Sequence, residues 1–90
     1  MPYIKIPTPL RSYVNGQAEV LVQGTTVGSA LDDLLKQFPA LRSHLCKADG
    51  TLRAFVNFFL NGINIKDLQG LETPLQPDNA LNLVPSIAGG

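Results

Sequence analysis

One amphipathic helix pattern, preceded and followed by strand patterns, restricts the fold of this chain more than any other feature. Apolar residues recur at i, i+4, i+7, i+8 and i+11, the spacing of one helix face, at Val27, Leu31, Leu34, Leu35 and Phe38. Thr25 or Thr26 is the expected N-cap. Pro39 ends the pattern, because the residue before a proline is pushed out of the helical region. The sequence therefore predicts a single main helix over about three turns.

Alternating apolar residues predict strands on both sides of this helix. The predicted strands cover residues 3–6, 18–22, 54–60, 63–65 and 80–84. Asn15-Gly16 is a hairpin signal between the first two strands, since both residues tolerate a positive φ. Residues 54–60 form the most apolar run and are the expected central strand. The expected core consists of Ile4, Ile6, Val20, Val22, Leu31, Leu34, Leu35, Phe38, Val56, Phe58, Leu60, Leu81 and Leu83.

The order of these elements predicts an α+β domain of two layers, with one helix on one face of a mixed sheet. The ubiquitin-like β-grasp has this order, whereas ferredoxin-like domains begin with a strand, a helix and a strand. A helix that crosses over between strands usually makes neighbouring strands parallel. We expect the domain to span residues 1–85 and a flexible tail to span residues 86–90, because Pro85 closes the last strand.

Charge and cysteine content exclude several classes of protein. Seven Lys and Arg residues balance seven Asp and Glu residues, which argues against a nucleic-acid or anionic-membrane partner. No apolar run is long enough for a membrane span, and the N-terminus has no signal-peptide pattern. A single cysteine, Cys46, excludes an intramolecular disulfide and a cysteine-rich zinc site, and it fits the reducing cytoplasm.

The residues with reactive side chains do not form a catalytic pattern. His44 is the single histidine, and Cys46 lies two positions away, a spacing that does not bring the side chains together on a helix. Asp32 and Asp33 are adjacent on the predicted helix, so their carboxylates diverge. The segment 24–28 lacks the lysine of a phosphate-binding loop. We therefore expect no enzyme activity, no metal and no cofactor.

The C-terminus, Ala88-Gly89-Gly90, is the feature with chemical meaning. Glycines have no Cβ, so a tail that ends in two of them can enter a narrow channel. Such a tail suits a protein whose own terminal carboxylate is the substrate of another enzyme. Adenylation by ATP would activate the carboxylate of Gly90, and a sulfur nucleophile would displace AMP and leave a thiocarboxylate. Ala88 and Gly89 would thread the tail into the enzyme.

The chain resembles the ubiquitin-like sulfur carriers of the MoaD/ThiS superfamily over essentially its whole length. The resemblance lies in Ile6-Pro7-Thr8-Pro9-Leu10-Arg11, Phe55-Val56-Asn57, Asn61-Gly62 and the ending Ala88-Gly89-Gly90. Within the superfamily the chain is most similar to the CysO-type carriers of cysteine biosynthesis. The resemblance implies a ThiF/MoeB-like ATP-dependent activating enzyme, a persulfide donor, and a cysteine synthase as the sulfur acceptor.

Three other functions remain open for the same tail or fold. The chain would be the small subunit of molybdopterin synthase if it has a permanent large-subunit partner. It would be a protein modifier if Gly90 forms isopeptide bonds with lysines. It would be a plain interaction module if the tail has no role.

Phe55 and Phe59 are the predicted partner-binding residues. Period two places them on the strand face opposite Val56 and Phe58, and one helix covers only one face of a sheet. Two neighbouring exposed phenylalanines tend to mark a binding surface. The alternative is that the loops at 11–17 or 66–78 fold over them.

Overall fold

The computed structural model describes residues 1–85 and shows a five-stranded mixed sheet. Its strands are β1 (Tyr3–Lys5), β2 (Glu19–Leu21), β3 (Val56–Leu60), β4 (Ile63–Asn64) and β5 (Ala80–Pro85). The spatial order is β2-β1-β5-β3-β4. β1 pairs with β2 antiparallel and with β5 parallel, and β3 pairs antiparallel with both β5 and β4. The predicted α+β architecture with a mixed sheet is confirmed.

The middle of the sheet is β5, so the prediction that residues 54–60 form the central strand is wrong. The long apolar run misled the prediction because it combines an inward set, Val56, Phe58 and Leu60, with apolar residues of the other face. The parallel neighbours are β1 and β5. The helix joins β2 to β3. These strands run in the same direction, but β1 and β5 lie between them.

The main helix, α1, spans Val27–Gln37 and begins at a capping box. The Thr26 hydroxyl accepts a hydrogen bond from the backbone N–H of Ser29 at 3.1 Å, and the backbone N–H of Thr26 donates to the Ser29 hydroxyl at 3.0 Å. These bonds satisfy N–H groups that the first turn of a helix leaves unpaired. Of the two predicted N-caps, the structure selects Thr26.

Side chains of α1 also form hydrogen bonds at the end of β2. The Asp33 carboxylate accepts from the backbone N–H of Gln23 at 3.0 Å and from the Gln37 amide at 2.8 Å. The same amide donates to the carbonyl of Leu21 at 2.9 Å. The bond to Leu21 leaves β2 with one fewer edge group that another strand could pair with.

The core lies between α1 and one face of the sheet. Every residue of the predicted core is buried except Phe38, which is half-buried. Phe38 is the C-cap of α1, with φ −131° and ψ 77°, so it has left the helical path and no longer lies on the buried stripe. Further buried residues come from the connections and from α1 itself: Val14, Val27, Ala30, Leu41, Leu45, Cys46, Ile65 and Leu75.

The connection from β1 to β2 differs from a simple hairpin. A 3₁₀ helix spans Thr8–Val14, and Asn15-Gly16 follows it with φ of 58° and 76°. The predicted positive φ values are therefore confirmed, but the turn ends a helix and does not join the strands directly. A short helix, α2 (Arg42–Leu45), follows α1, and Leu41 and Leu45 are both buried.

Candidate functional site

The predicted chemical residues Ala88, Gly89 and Gly90 lie outside the described residues. The structure does place the point from which they start. β5 ends at Pro85, which pairs with Val56 at the beginning of β3. The described chain therefore ends with the central strand, where Pro85 is paired with the first residue of β3.

The face of the sheet opposite α1 carries Phe59 and Val84. Period two along β3 buries Val56, Phe58 and Leu60 and leaves Phe59 half-buried on the other face. Val84 is 43% exposed and pairs with Asn57, so it lies diagonally next to Phe59 on this open face.

Phe55 lies in the turn before β3 rather than in the strand. The backbone N–H of Val56 closes this turn on the carbonyl of Arg53 at 3.0 Å. Phe55 is 45% exposed, so neither loop proposed to cover it does so. We call Phe59 and Val84, together with the exposed Phe55 one residue before β3, the apolar patch.

Polar side chains separate the members of the apolar patch. The Asn64 amide on β4 donates to the amide oxygen of Asn57 on β3 at 3.2 Å. Asn82 on β5 pairs with Phe59 in register and is exposed. The apolar patch therefore lies beside one hydrogen-bonded amide pair and one exposed amide, and protein interfaces likewise combine apolar and polar groups.

The side chains of His44 and Cys46 make packing contacts within the domain. The His44 ring stacks on the Tyr13 ring with centroids 4.2 Å apart and planes at 36°. Cys46 is buried within the core. Within residues 1–85, no group of three or more His, Cys, Asp or Glu side chains is arranged to hold a metal ion. None of the helices described there is long and apolar enough to cross a membrane.

A basic pocket beside α2 was missed by the sequence analysis. It has a volume of about 440 Å³ and is lined by Arg42, Lys47 and Arg53, with Cys46 also contributing to its wall. The available signal was the position of three of the seven Lys and Arg residues within residues 42–53. Sequence spacing did not show that these side chains converge, because a turn at residues 47–51 separates them.

Comparisons with known proteins agree with this fold. The sequence profile of the ThiS family matches residues 4–90. The sulfur carrier protein CysO of Mycobacterium tuberculosis is 30% identical over 89 residues, which cover 97% of this chain and 96% of that protein.

Two solved structures are similar over nearly the whole chain. The crystal structure of the Amycolatopsis orientalis BexX/CysO complex contains a chain with a TM-score of 0.88 and 29% identity, covering 100% of both chains. The small archaeal modifier protein 1 from Methanosarcina acetivorans gives a TM-score of 0.87 and 30% identity, covering 99% of this chain and 95% of that one. Both likenesses confirm the ubiquitin-like β-grasp fold.

Proposed function

This chain belongs to the ThiS family, whose members are small ubiquitin-like sulfur carriers and not enzymes, and from that premise we propose a carrier chemistry for Gly90. The observation that carries the proposal is the family match over residues 4–90, which includes the terminal Gly-Gly. Residues 1–85 act as the recognition domain, and residues 86–90 act as the tail that enters partner enzymes.

The proposed reaction has two steps. The carboxylate of Gly90 attacks the α-phosphorus of ATP on an activating enzyme, which forms an acyl adenylate and releases pyrophosphate. Sulfide then adds to the acyl carbon and expels AMP. If a persulfide donor attacks in place of sulfide, the product is an acyl disulfide, and a second thiol cleaves its S–S bond and is oxidised to a disulfide with the donor. The product of either route is a thiocarboxylate at Gly90. Because the first step needs ATP, the proposed location of the protein is the cytoplasm.

The proposed activating enzyme is of the ThiF/MoeB type, and the proposed sulfur acceptor is a cysteine synthase. The likeness to the Mycobacterium tuberculosis sulfur carrier CysO supports the acceptor. The Amycolatopsis orientalis complex, in which a CysO chain is bound to BexX, supports the docking of such carriers on partner proteins. The apolar patch is the proposed docking surface, since it borders the strand from which the tail starts.

Intact-mass spectrometry tests the proposed reaction. With ATP, a ThiF/MoeB-type enzyme and sulfide, we expect the mass to increase by the difference between sulfur and oxygen. Deletion of Gly90 should abolish the change while the melting temperature stays that of the parent, because chain ends add little to stability. Ser86→Ala is the matched control, since it alters the tail but keeps the terminal carboxylate in place.

An unchanged mass in the parent chain, or a deletion variant that still gains sulfur, contradicts the proposal. Unfolding of the deletion variant contradicts the separation of domain and tail. Adding O-phosphoserine and a cysteine synthase to the thiocarboxylate then tests the acceptor, with new cysteine as the expected product.

A protein modifier is the second candidate, and the likeness to small archaeal modifier protein 1 favours it. In that function the adenylated Gly90 forms an isopeptide bond with a lysine amine and releases AMP. Proteomic detection of Gly-Gly remnants on lysines of other proteins, dependent on Gly90, would support it over the carrier function.

A further inference from the structure

The basic pocket has an excess of positive charge in a chain that is neutral as a whole. Asp49 is the one carboxylate within residues 42–53. Its side chain accepts hydrogen bonds from the Thr51 hydroxyl at 2.6 Å and the Thr51 backbone N–H at 3.0 Å. These bonds, with a smaller contribution from the charge of Lys47, hold the pKa of Asp49 below its ordinary value. Asp49 is therefore an anion beside Lys47, and Arg42 also lines a neighbouring pocket that contains Asp32 and Glu72. The lining of the basic pocket itself holds three cations and no carboxylate.

Arg53 is held in place before any partner arrives. Its Nε and Nη2 atoms donate to the carbonyl of Ser43 at 3.2 and 3.0 Å, and its backbone N–H donates to the carbonyl of Leu45 at 2.9 Å. These bonds fix one wall of the pocket against α2. Arg42 and Lys47 are exposed and form the outer part of the pocket.

Arg53, in the wall of the pocket, lies near Pro85, the last described residue. The turn from Arg53 to Val56 is closed by one backbone hydrogen bond, and Val56 pairs with Pro85. The five residues after Pro85 span at most about 17 Å when extended. This reach is about half of the longest dimension of the fold, which is 31 Å.

The donors of the pocket are charged side chains, which pair with carboxylates of a protein surface as well as with phosphate groups. One class of phosphate site adds converging backbone N–H groups. Here the N–H groups of Cys46, Lys47 and Arg53 already donate to the carbonyls of Arg42, Thr51 and Leu45. The pocket therefore presents side-chain cations on long stems, which adapt to acidic side chains of a partner.

Resting on the proposed function, we infer that the basic pocket is an electrostatic docking point for an acidic surface of the activating enzyme that receives the tail. Charges at the rim of an interface raise the association rate and orient the partners, while apolar contacts at its centre hold them together. The basic pocket supplies the charges that orient the partner, and the apolar patch supplies the apolar contacts that hold it.

Kinetics of thiocarboxylate formation test the inference. In the double variant Arg42→Ala with Lys47→Ala, we expect kcat/KM to fall about tenfold at low ionic strength, mainly through KM. Added salt should lower kcat/KM of the parent and have little effect on the variant, because salt screens exposed charges. The control is Lys36→Ala with Lys66→Ala, which removes two exposed lysines outside the pocket and should behave like the parent. Arg53 is left unchanged because it ties α2 to the turn.

A titration without any enzyme tests the pocket independently. A hexaglutamate peptide, added to the ¹⁵N-labelled full chain at low salt, should shift amide signals of residues 42–53, and the double variant should lose this response. Equal shifts around all lysines and arginines, or equal kcat/KM in the double variant and the control, would overturn the inference. Saturation of the same signals by inorganic phosphate at lower concentration than the peptide would make the pocket a phosphate site and also overturn it. If the parent forms no thiocarboxylate, the proposed function fails, and the peptide titration still decides whether the pocket binds acidic chains.

Discussion

Leu34 and Phe58 show at the residue scale how the two layers depend on each other. Leu34 comes from the buried stripe of α1, and Phe58 comes from the inward face of β3, and both are fully buried. Interiors of proteins are close-packed, so the removal of either side chain leaves space that neighbouring groups fill only in part.

Truncation of either residue should therefore destabilise the domain strongly. We expect Leu34→Ala and Phe58→Ala each to cost about 2–5 kcal/mol of a total unfolding free energy of about 5–15 kcal/mol. Urea unfolding followed by circular dichroism measures the loss. Leu68→Ala is the matched control, because Leu68 is 42% exposed and its truncation leaves no cavity. A parental midpoint for Leu34→Ala or Phe58→Ala would mean that the helix face or the strand register is wrong.

At the element scale, one face of β3 contributes side chains to the core, and the other face contributes side chains to the surface opposite α1. Its buried residues pack towards α1, while Asn57 and Phe59 lie on the face opposite α1. The same alternation in β5 places Val84 next to Phe59. A single short strand therefore links the stability of the fold to the proposed docking surface.

Phe59→Ser separates these two roles of β3. We expect near-parental stability, because Phe59 is only half-buried, together with weaker binding to the activating enzyme and slower thiocarboxylate formation. Melting temperature and the initial rate at several carrier concentrations are the measurements. Severe unfolding would show that Phe59 belongs to the core, and an unchanged rate in a folded variant would place the docking surface elsewhere.

At the scale of the whole molecule, the N-terminal strand holds the sheet together. β1 lies between β2 and the central strand β5, so the two ends of the described chain are paired in parallel. Ile4 and Ile6 are both buried in the core. The first residues of the chain therefore cannot be treated as a dispensable extension.

Deletion of residues 1–6 should abolish cooperative folding. The deletion removes two buried isoleucines and separates β2 from the rest of the sheet. Denaturant unfolding should lose its sigmoidal transition, whereas deletion of Met1 alone, which is exposed, should leave the transition as in the parent. A cooperative transition in the longer deletion would show that β2, β5 and α1 form a stable unit without β1.

The sequence by itself determined the elements and the faces that they bury. The periodicities of α1 and of the strands depend on residues two to four positions apart, so Thr26, the stripe on α1 and the inward residues of β3 were predictable. The chemical role of Gly90 also remains a prediction from the sequence, since it depends on the identity of the last residues.

Only the tertiary structure decided the strand order, the position of Phe38 and the basic pocket. The place of β5 between β1 and β3 depends on pairing between residues far apart in the chain, which local patterns do not encode. Phe38 left the buried stripe because the chain turns at the C-cap of α1. Arg42, Lys47 and Arg53 converge because the hydrogen bonds of Arg53 to Ser43 and Leu45 fold the turn back on α2. Each of these features required contacts between separate segments, and those contacts exist only after the chain has folded.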